Sequence, residues 1–429
     1  WGPHWARKPL HVKLPLKANA DNIFMKKQLS NADQVRSVQD LELFEQLLED
    51  STVQEVNKVL ARKEEQGPLG TRRRLLATAV RLSRGMALNL HKMADNCRER
   101  LGLDIPLELY VYASPQLNAA CVKPEDGRLF ILFSSSIIEG FSDNELQFVI
   151  GHELGHYNYG HHDIPIGHIL RGHSKPVSPR LALDLSSWSR YAEVSADRAG
   201  AYCSDTLETV AHALFKLASG ITGSQVSFNL KEFLSQLDEM QLAADDPGQS
   251  APTEDWFSTH PFSPLRVRAL QLFYESEWMD AKGFKAADLE LGIQGLMSLM
   301  EPSYLEGRTD TAEAMRRLLF SSAIAIMDAN DGVNDDEKAL FEKFFGAHSL
   351  DEKLNIEKTI RILDDRIEQA NESASLAQRM QVVRDLCSIS RADGHVHPKE
   401  CALLRDIAKK LGIGEFFVNR TLEELTELD

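Results

Sequence analysis

The motif His152-Glu153-Leu154-Gly155-His156 constrains this chain more than any other feature, because it lies inside a helical pattern. Ser142 is followed three residues later by Glu145, the spacing of a capping box, and the predicted helix runs from there into the motif. Histidines at positions i and i+4 project from one helix face, so two imidazoles can meet one Zn²⁺ ion. Glu153 would then lie close enough to the metal to act as a general base. Two exposed histidines can produce the same pattern by chance, so a third ligand decides its meaning.

The third ligand is expected on a second predicted helix, at about residues 186–204. Glu193 and Asp197 are four residues apart there and share a face. Glu193 would complete a His, His, Glu set of zinc ligands and leave the fourth position open, as catalytic zinc requires. Asp197 would accept a hydrogen bond from a ligand imidazole and fix its tautomer. A solvated pair of acids is the alternative. Small residues that would let the two helices approach closely flank the pair: Ala192, Ala196, Ala199 and Gly200.

His162 competes for the role of third ligand, because it stands where the longer HExxHxxGxxH pattern has its last histidine. The glycine that breaks the helix in that pattern is replaced by Tyr159, and Gly160 comes one residue late. This mismatch favours Glu193 over His162. His161 is expected either to support a ligand from behind or to lie at the surface.

Several separate motifs, in this order, resemble the gluzincin peptidases of the HtpX, Oma and CAAX-prenyl-protease type over about residues 75 to 275. The resemblance implies that His152, His156 and Glu193 bind Zn²⁺. It also implies that Glu153 is the catalytic base, that Asp197 orients a histidine, and that an extended substrate pairs with an edge strand near Arg128–Phe133. The motifs are Asn118-Ala119-Ala120-Cys121, the strand Gly127–Phe133, Asp143-Asn144-Glu145-Leu146, the run from Tyr191 to Arg198, and Thr259-His260-Pro261 with Arg266.

His260 is a further catalytic candidate by this resemblance, because the histidine before the proline lies near the metal in related enzymes. It would stabilise the oxyanion of the tetrahedral intermediate, or cap the zinc as a removable fourth ligand in a latent state. A plain loop histidine is the alternative. The preceding segment, Leu242–Thr259, is rich in Pro, Gly and Ser and is predicted to be a movable loop.

The predicted fold class is α+β and mainly helical: a zincin-type metallopeptidase core with a small β-sheet, followed by an all-α domain. Strand patterns occur at Leu107–Tyr112 and Arg128–Phe133. Residues 31–100 are predicted to be helical, with one basic helix from Thr71 to about Arg100. The predicted domains are a basic N-terminal arm at residues 1–30, the peptidase at 31–309 and the helical domain at 310–429.

Two C-terminal segments repeat one pattern, which is a helix, an Asp-Gly turn (Asp331-Gly332 or Asp393-Gly394) and a second helix. This pair of segments resembles the two halves of a TerB-like all-α domain. In each segment a glutamate, Glu337 or Glu400, follows a valine by four residues. A calcium-loop interpretation fails on spacing, because Met327 and Ile389 stand where the first ligand belongs. The TerB family is associated with stress response and acidic metal-binding surfaces. Four acids are therefore either candidate cation ligands or helix-capping residues: Asp331, Asp335, Asp393 and Glu400.

Charge and apolar content limit the partners of the chain. Residues 310–429 contain 24 acidic and 16 basic side chains, so half of the net charge of −16 lies there. An acidic surface repels phosphate, so no nucleic-acid binding is expected. No apolar stretch approaches the roughly 18 to 20 residues that span a bilayer, so no integral membrane segment is expected. Five scattered cysteines without CxxC spacing indicate a reducing compartment.

The sequence thus predicts a zinc metalloendopeptidase that hydrolyses peptide bonds of soluble or membrane-peripheral polypeptides. The TerB-like domain would regulate access or bind a protein partner. The expected location is cytoplasmic, with a membrane-peripheral or processed protein as the alternative, since the chain begins with Trp1 rather than Met. The alternative function is a latent peptidase fold that serves as a protein-binding or metal-sensing scaffold in stress response. The intact ligand set and base favour the enzyme.

Overall fold

The computed structural model describes residues 32–65, 70–171, 177–244, 258–300, 304–305, 310–330, 333–346, 349–350 and 355–426. The basic arm predicted at residues 1–30 lies outside these ranges, as does most of the predicted movable loop. Helices predominate and four strands form one small sheet, so the predicted α+β, mainly helical class is confirmed. The predicted domain boundaries stay predictions.

The structure contains four strands and nineteen α-helices in the described residues. The strands are β1 (Val80–Leu82), β2 (Leu107–Tyr112), β3 (Ala119–Glu125) and β4 (Arg128–Ser134). The helices up to residue 300 are α1 (Val38–Leu48), α2 (Ser51–Glu65), α3 (Thr71–Thr78), α4 (Leu88–Arg100), α5 (Ser135–Gly140), α6 (Asp143–Asn158), α7 (Ile166–Arg171), α8 (Pro179–Cys203), α9 (Leu207–Ser219), α10 (Leu230–Ala244), α11 (Ser263–Tyr274) and α12 (Ala286–Met297). The later helices are α13 (Asp310–Met327), α14 (Asp335–Phe345), α15 (Ile356–Arg361), α16 (Leu363–Ser373), α17 (Leu376–Ser390), α18 (Pro398–Lys410) and α19 (Glu415–Thr426).

The sheet has the strand order β1-β2-β4-β3, with β2 and β4 parallel and the outer strands antiparallel to their neighbours. The expectation that Arg128–Phe133 forms an edge strand is wrong, because β4 lies between β2 and β3. Its continuous apolar run suits a strand that is buried on both faces. The edge on this side is β3, whose Pro124 has no backbone N–H to donate and is tolerated at an edge.

The predicted basic helix from Thr71 to Arg100 is also wrong, since a strand interrupts it. Helix α3 ends at Thr78, and β1 then pairs with β2 through Val80↔Val111. The apolar residues Leu75, Tyr110 and Phe130 form a small cluster between α3 and the sheet. Burying that cluster and pairing the outer strand outweigh the helical spacing of the sequence.

Helix α6, which carries the HExxH motif, begins as the sequence predicts. The Ser142 side chain accepts the Glu145 backbone N–H, and the Glu145 carboxylate accepts the Ser142 N–H, so the capping box is complete. Two glycines of α6 touch α8: a Cβ built on Gly155 would lie 2.8 Å from the Ala199 Cβ, and one on Gly151 would lie 2.9 Å from the Gly200 Cα. Small residues therefore let α6 and α8 pack with almost no space between their backbones.

Two predicted boundaries move. Helix α8 begins at Pro179, with the Ser178 side chain as its N-cap, and not near residue 186. Helix α10 continues to Ala244, so the segment Leu242–Thr259 is not a loop throughout. Boundaries of this kind depend on tertiary packing more than on local sequence.

Two large hydrophobic cores lie on either side of α12. One contains residues from the sheet and from α4, α6, α8, α9 and α11, and the other contains residues from α13 to α19. Leu289 and Ile293 of α12 belong to the first core. Gly295 of the same helix lies against the Phe417 ring of α19, where a Cβ would be 2.5 Å from a ring carbon. Within the described ranges, every helix is too short or too polar to cross a membrane.

The C-terminal repeat is built from capping boxes. Asn334 caps α14 with Glu337 as its partner, and His397 caps α18 with Glu400 as its partner. Both glutamates are buried and accept a backbone N–H. Asp393 accepts the His395 N–H within its own turn. Glu400 thus has the capping role that was one of the two interpretations of the repeat, Asp393 stabilises the turn before that helix, and Asp331 lies outside the described part of the chain.

Candidate metal centre

Three side chains from α6 and α8 converge at the bottom of a cavity of about 450 Å³. The Nε2 atoms of His152 and His156 lie 3.2 Å apart. Glu193 places Oε2 3.6 Å from the His152 Nε2 and Oε1 3.4 Å from the His156 Nε2. Of the histidine, cysteine and acidic side chains that the structure describes, these three alone form a group with the geometry of a metal site.

The donor set fits zinc. Ligand atoms bound at about 2.0–2.1 Å around a tetrahedral ion lie about 3.3 Å from one another. The three separations, 3.2, 3.4 and 3.6 Å, are close to that value. Two imidazoles and one carboxylate are also a donor set that zinc enzymes use with one position left open. His152, His156 and Glu193 would hold the ion.

The carboxylate of Glu193 is kept ionised by its surroundings. Burial acts to raise the pKa of Glu193, but contact with His156 and the positive charge of Arg266 hold that pKa well below its usual value. Burial likewise acts to lower the pKa of His156, and the neighbouring carboxylates of Glu193 and Glu153 outweigh it and raise the pKa. A negatively charged candidate ligand is therefore present before any cation arrives.

Asp197 lies directly behind the first histidine. Its Oδ1 is 2.9 Å from the His152 Nδ1, which is the contact that the sequence predicts. Arg266 from α11 donates two hydrogen bonds to the same carboxylate, at 2.6 and 2.8 Å. Burial acts to raise the pKa of Asp197, but this guanidinium lowers it. Asp197 is therefore a charged acceptor that leaves the His152 Nε2 turned toward the site.

Glu153 of α6 lines the cavity together with the three side chains, and it faces the edge strand β3. Its Oε2 accepts the backbone N–H of Cys121 at 2.6 Å. His162 approaches the other polar group of the same residue, with Nε2 3.0 Å from the Cys121 carbonyl oxygen. His162 is thus placed against the strand and does not belong to the group of converging donors.

His260 lies at the mouth of the cavity. Its Nε2 is 3.5 Å from Glu193 Oε1, and its side chain is 64% exposed. The Thr259 hydroxyl lies 3.0 Å from its Nδ1. The structure brings His260 to the rim of the site, but not within the group formed by His152, His156 and Glu193.

A second chain of polar contacts lies behind His156. Its Nδ1 is 2.8 Å from the Nδ1 of His161, and the Nε2 of His161 is 3.1 Å from Asp40 Oδ2. Asp40 belongs to α1, is fully buried, and is bonded by Arg36 and by the indole N–H of Trp188. Burial lowers the pKa of His161 to about 4.

The sequence profile of peptidase family M48 matches residues 86–171 and 168–273, which include α6, α8 and all but the last residue of α11. The chain contains an M48 peptidase domain. The M48 domain is followed by a second match, to the tellurite resistance protein TerB, over residues 316–420. The predicted resemblance to HtpX-type peptidases with a C-terminal TerB domain is therefore confirmed.

Two known proteins are similar to the region of the M48 domain. The plastoglobule-localized metallopeptidase 48, chloroplastic, of Arabidopsis thaliana is 28% identical over 223 residues, which are 49% of this chain and 62% of that protein. Protease HtpX of Shewanella halifaxensis is 34% identical over 62 residues, which are 14% of this chain and 21% of that protein. The chain thus matches less than two thirds of the length of either relative. No solved structure matches the chain.

Two groups around the M48 domain's cavity were not found from the sequence. Asp40 gave no signal, because a single acid on an amphipathic helix is normally a solvated residue and its partner His161 is 121 residues away. The Cys121 N–H that binds Glu153 is a backbone group and has no signature of its own. Arg266 was part of the family motif, but its pairing with Asp197 required the structure.

Proposed function

We propose that the chain is a zinc endopeptidase that hydrolyses peptide bonds of soluble or membrane-peripheral polypeptides. One observation carries the proposal: His152, His156 and Glu193 converge with zinc-ligand spacing beside the carboxylate of Glu153. The M48 match and the names of both relatives, a metallopeptidase and a protease, support it. Zinc at this position would supply Lewis-acid activation of water and of the scissile carbonyl.

Glu153 is the base in this proposal. Its carboxylate lines the cavity and is held by the Cys121 N–H at 2.6 Å, which fixes its direction without neutralising it. It takes a proton from the attacking water and returns it to the leaving amine, so the two proton transfers use one group. Asp197 keeps His152 oriented throughout through the contact at 2.9 Å.

The edge strand β3 is the proposed platform for the substrate. Ala119, Ala120 and Cys121 line the cavity beside the base. An extended peptide that adds to this edge would lie across the three ligands, with its main chain held by hydrogen bonds to β3. His260, at the rim and largely exposed, would donate a hydrogen bond to the oxyanion as it forms.

The latent scaffold is a second candidate, and one specific observation favours it. Both polar backbone groups of Cys121 are occupied by side chains of the chain itself, the N–H by Glu153 and the carbonyl by His162. A substrate strand would have to displace His162 to use that carbonyl. In this function the TerB domain would bind the partner and the peptidase fold would hold a client or sense a metal.

The experiment that separates the two functions compares wild type with Glu153→Gln, both loaded with zinc. An unfolded casein-like protein and the chain itself serve as substrates, and fragments are measured by mass spectrometry. The variant should retain zinc and lose at least a hundredfold in cleavage rate, because it keeps the ligands and removes the base. Equal cleavage, or equal absence of cleavage, by two zinc-loaded proteins contradicts the peptidase.

The ligand choice is tested by metal content. Glu193→Gln should lose zinc, whereas His162→Ala should keep it, because His162 lies on the strand and outside the converging donors. Measuring bound zinc after dialysis against a weak chelator gives the answer. The opposite pattern would make His162 the third ligand.

A further inference from the structure

The contacts behind His156 determine where the protons lie. Asp40 accepts hydrogen bonds from the Arg36 guanidinium at 2.8 and 3.2 Å and from the Trp188 indole N–H at 3.1 Å. An ionised carboxylate can only accept hydrogen bonds, so the His161 Nε2, 3.1 Å from Asp40 Oδ2, must carry a proton and donate it.

The position of the proton on His161 determines the position of the proton on His156, the proposed metal ligand. A neutral imidazole that carries its proton on Nε2 has a lone pair on Nδ1. The Nδ1 of His161 faces the Nδ1 of His156 at 2.8 Å, so His156 must donate from Nδ1. The Nε2 of His156 is then left with its lone pair, and that atom faces His152 and Glu193.

We propose that Asp40 and His161 are positioning residues which hold His156, through consecutive hydrogen bonds, in the tautomer that binds metal through Nε2. The inference rests on the proposed function in that it requires a metal at His152, His156 and Glu193. In this proposal the two ligand histidines are oriented in different ways. His152 contacts a carboxylate directly, whereas His156 reaches one through a second imidazole.

Asp40, the carboxylate end of this support, comes from a part of the chain outside the residues matched to family M48, 86–273. Helix α1 is fixed beside the site by its own buried contacts. The Ser37 N–H donates to the Ser195 hydroxyl at 3.0 Å, and the Ser37 hydroxyl donates to Glu290 at 2.9 Å. Asp40, one turn further along, is fully buried against α8. The helix before the peptidase match therefore completes the metal site.

The test measures zinc affinity by competition with a chromophoric chelator in the full-length chain. The variants are His161→Phe, which keeps a ring and removes the acceptor, and Asp40→Asn, which keeps the shape and removes the charge. Loss of a group that orients a metal ligand typically weakens metal binding about 10–100-fold. We expect a fall in that range for both variants.

Asp33→Asn is the matched control. Asp33 precedes the same helix and accepts a hydrogen bond from Asn158 of α6 at 3.1 Å, but it does not touch the two ligand-supporting residues. It loses the same charge as Asp40→Asn and should leave zinc affinity unchanged. The cobalt(II) absorption spectrum gives a readout that a merely structural role would not move. It should change in the two test variants at temperatures where the circular dichroism of the metal-free proteins matches wild type.

Each outcome bears on the proposal. If His161→Phe does not fold, the isosteric Asp40→Asn carries the test alone. Wild-type affinity and an unchanged cobalt spectrum in the Asp40 variant overturn the positioning role, and the proposed function survives if Glu193→Gln loses zinc in the same assay. Retention of zinc by Glu193→Gln overturns both, because both require a metal held by His152, His156 and Glu193 together.

Discussion

At the scale of single residues, the absence of a side chain matters as much as its presence. Gly155, inside the HExxH motif, faces Ala196 and Ala199 of α8 so closely that an added Cβ would lie 2.8 Å from the Ala199 Cβ. Neither partner has a flexible end that could yield. The proposed ligands on α6 and α8 can converge because this position carries no methyl group.

Gly155→Ala should therefore destabilise the chain although alanine is the better helix former. The gain in helix propensity is about 1 kcal/mol, whereas forcing a methyl group into a packed interface costs about 1–3 kcal/mol. We expect a net loss of up to about 2 kcal/mol in urea unfolding and weaker zinc binding, because the helices separate. Gly223→Ala, with nothing within 4 Å of its Cβ, is the control. Unchanged stability and zinc affinity in Gly155→Ala would show that α8 can move away from α6 and make room for the methyl group.

The buried carboxylate of Glu145 is a second single-residue feature. Beyond its capping role it contacts Lys216 Nζ at 2.8 Å and His212 Nδ1 at 2.9 Å, and both Glu145 and Lys216 are buried. Removing one partner of such a pair leaves an uncompensated charge and typically costs about 3–5 kcal/mol.

Lys216→Met should therefore lower the free energy of unfolding by roughly 3 kcal/mol, measured by urea denaturation. The exposed pair of Lys285 and Glu277 offers the control. Its Nζ and Oε2 atoms are also 2.9 Å apart, but Lys285→Met removes a contact that lies at the surface. That variant should change stability by less than about 1 kcal/mol. Similar losses in the two variants would mean that burial does not determine the value of the Lys216 contact.

At the scale of elements, the features that depend on residues close together in the chain were predicted from the sequence. The capping box of Ser142 and Glu145 gave the start of α6, and the i, i+4 spacing gave the two histidines and the pair on α8. The strands β1 and β3 were missed, because β1 has only three residues, β3 contains Pro124, and each forms by pairing with a predicted strand, β2 or β4. Asp40 was missed because its role depends on contacts with residues more than 100 positions away.

The capping boxes of α14 and α18 make the C-terminal helices sensitive to pH. Glu337 and Glu400 are both buried and hydrogen-bond to one another. Burial raises the pKa of Glu337 to about 7, and burial also raises that of Glu400. A carboxyl with a raised folded-state pKa binds its proton more tightly in the folded protein, so its protonated form stabilises the fold.

The contribution from Glu337 is fully present below the ordinary glutamate pKa, about 4.3, and is lost as pH rises through about 7. We expect the melting temperature of the C-terminal helices to fall between pH 5.5 and pH 8. Calorimetry over that range should show a weaker dependence in Glu337→Gln, which mimics the protonated form. Asp336→Asn, an exposed acid on the same helix, is the control. An equal slope in Glu337→Gln and wild type would contradict the assignment.

At the scale of the whole molecule, α12 joins the two cores. It contributes Leu289 and Ile293 to the core of the peptidase region, and Gly295 to the contact with Phe417. Arg384 of α17 donates to the Gly295 carbonyl at 2.7 Å and to the Ser298 hydroxyl at 3.1 Å. Helix α12 and Ser298 lie between the residues matched to M48 and those matched to TerB, so the sequence motifs of neither family predicted these contacts.

Arg384→Ala should reduce the cooperativity between the cores. The variant removes both hydrogen bonds and the guanidinium that lies 5.9 Å from the Phe417 ring centre. We expect the melting profile of the variant in calorimetry to be broader than that of wild type, or to divide into two transitions. Arg361→Ala, an exposed arginine of α15, should leave the profile unchanged. A profile that is unaltered in Arg384→Ala would show that the cores unfold together for other reasons.

The bond between Ser37 and Glu290 also has a consequence for synthesis. The two residues are 253 positions apart, so the hydrogen bond cannot exist until the ribosome has released residue 290. Closing so long a loop is also slow compared with forming a helix. The hydrogen bond that fixes this end of α1 therefore forms only after α6 and α8, which carry His152, His156 and Glu193, have been made. In the proposed metal site, the buried acid behind His156 would lack this anchor until Glu290 is available, so the support of that histidine would be completed after the candidate ligands themselves are in place.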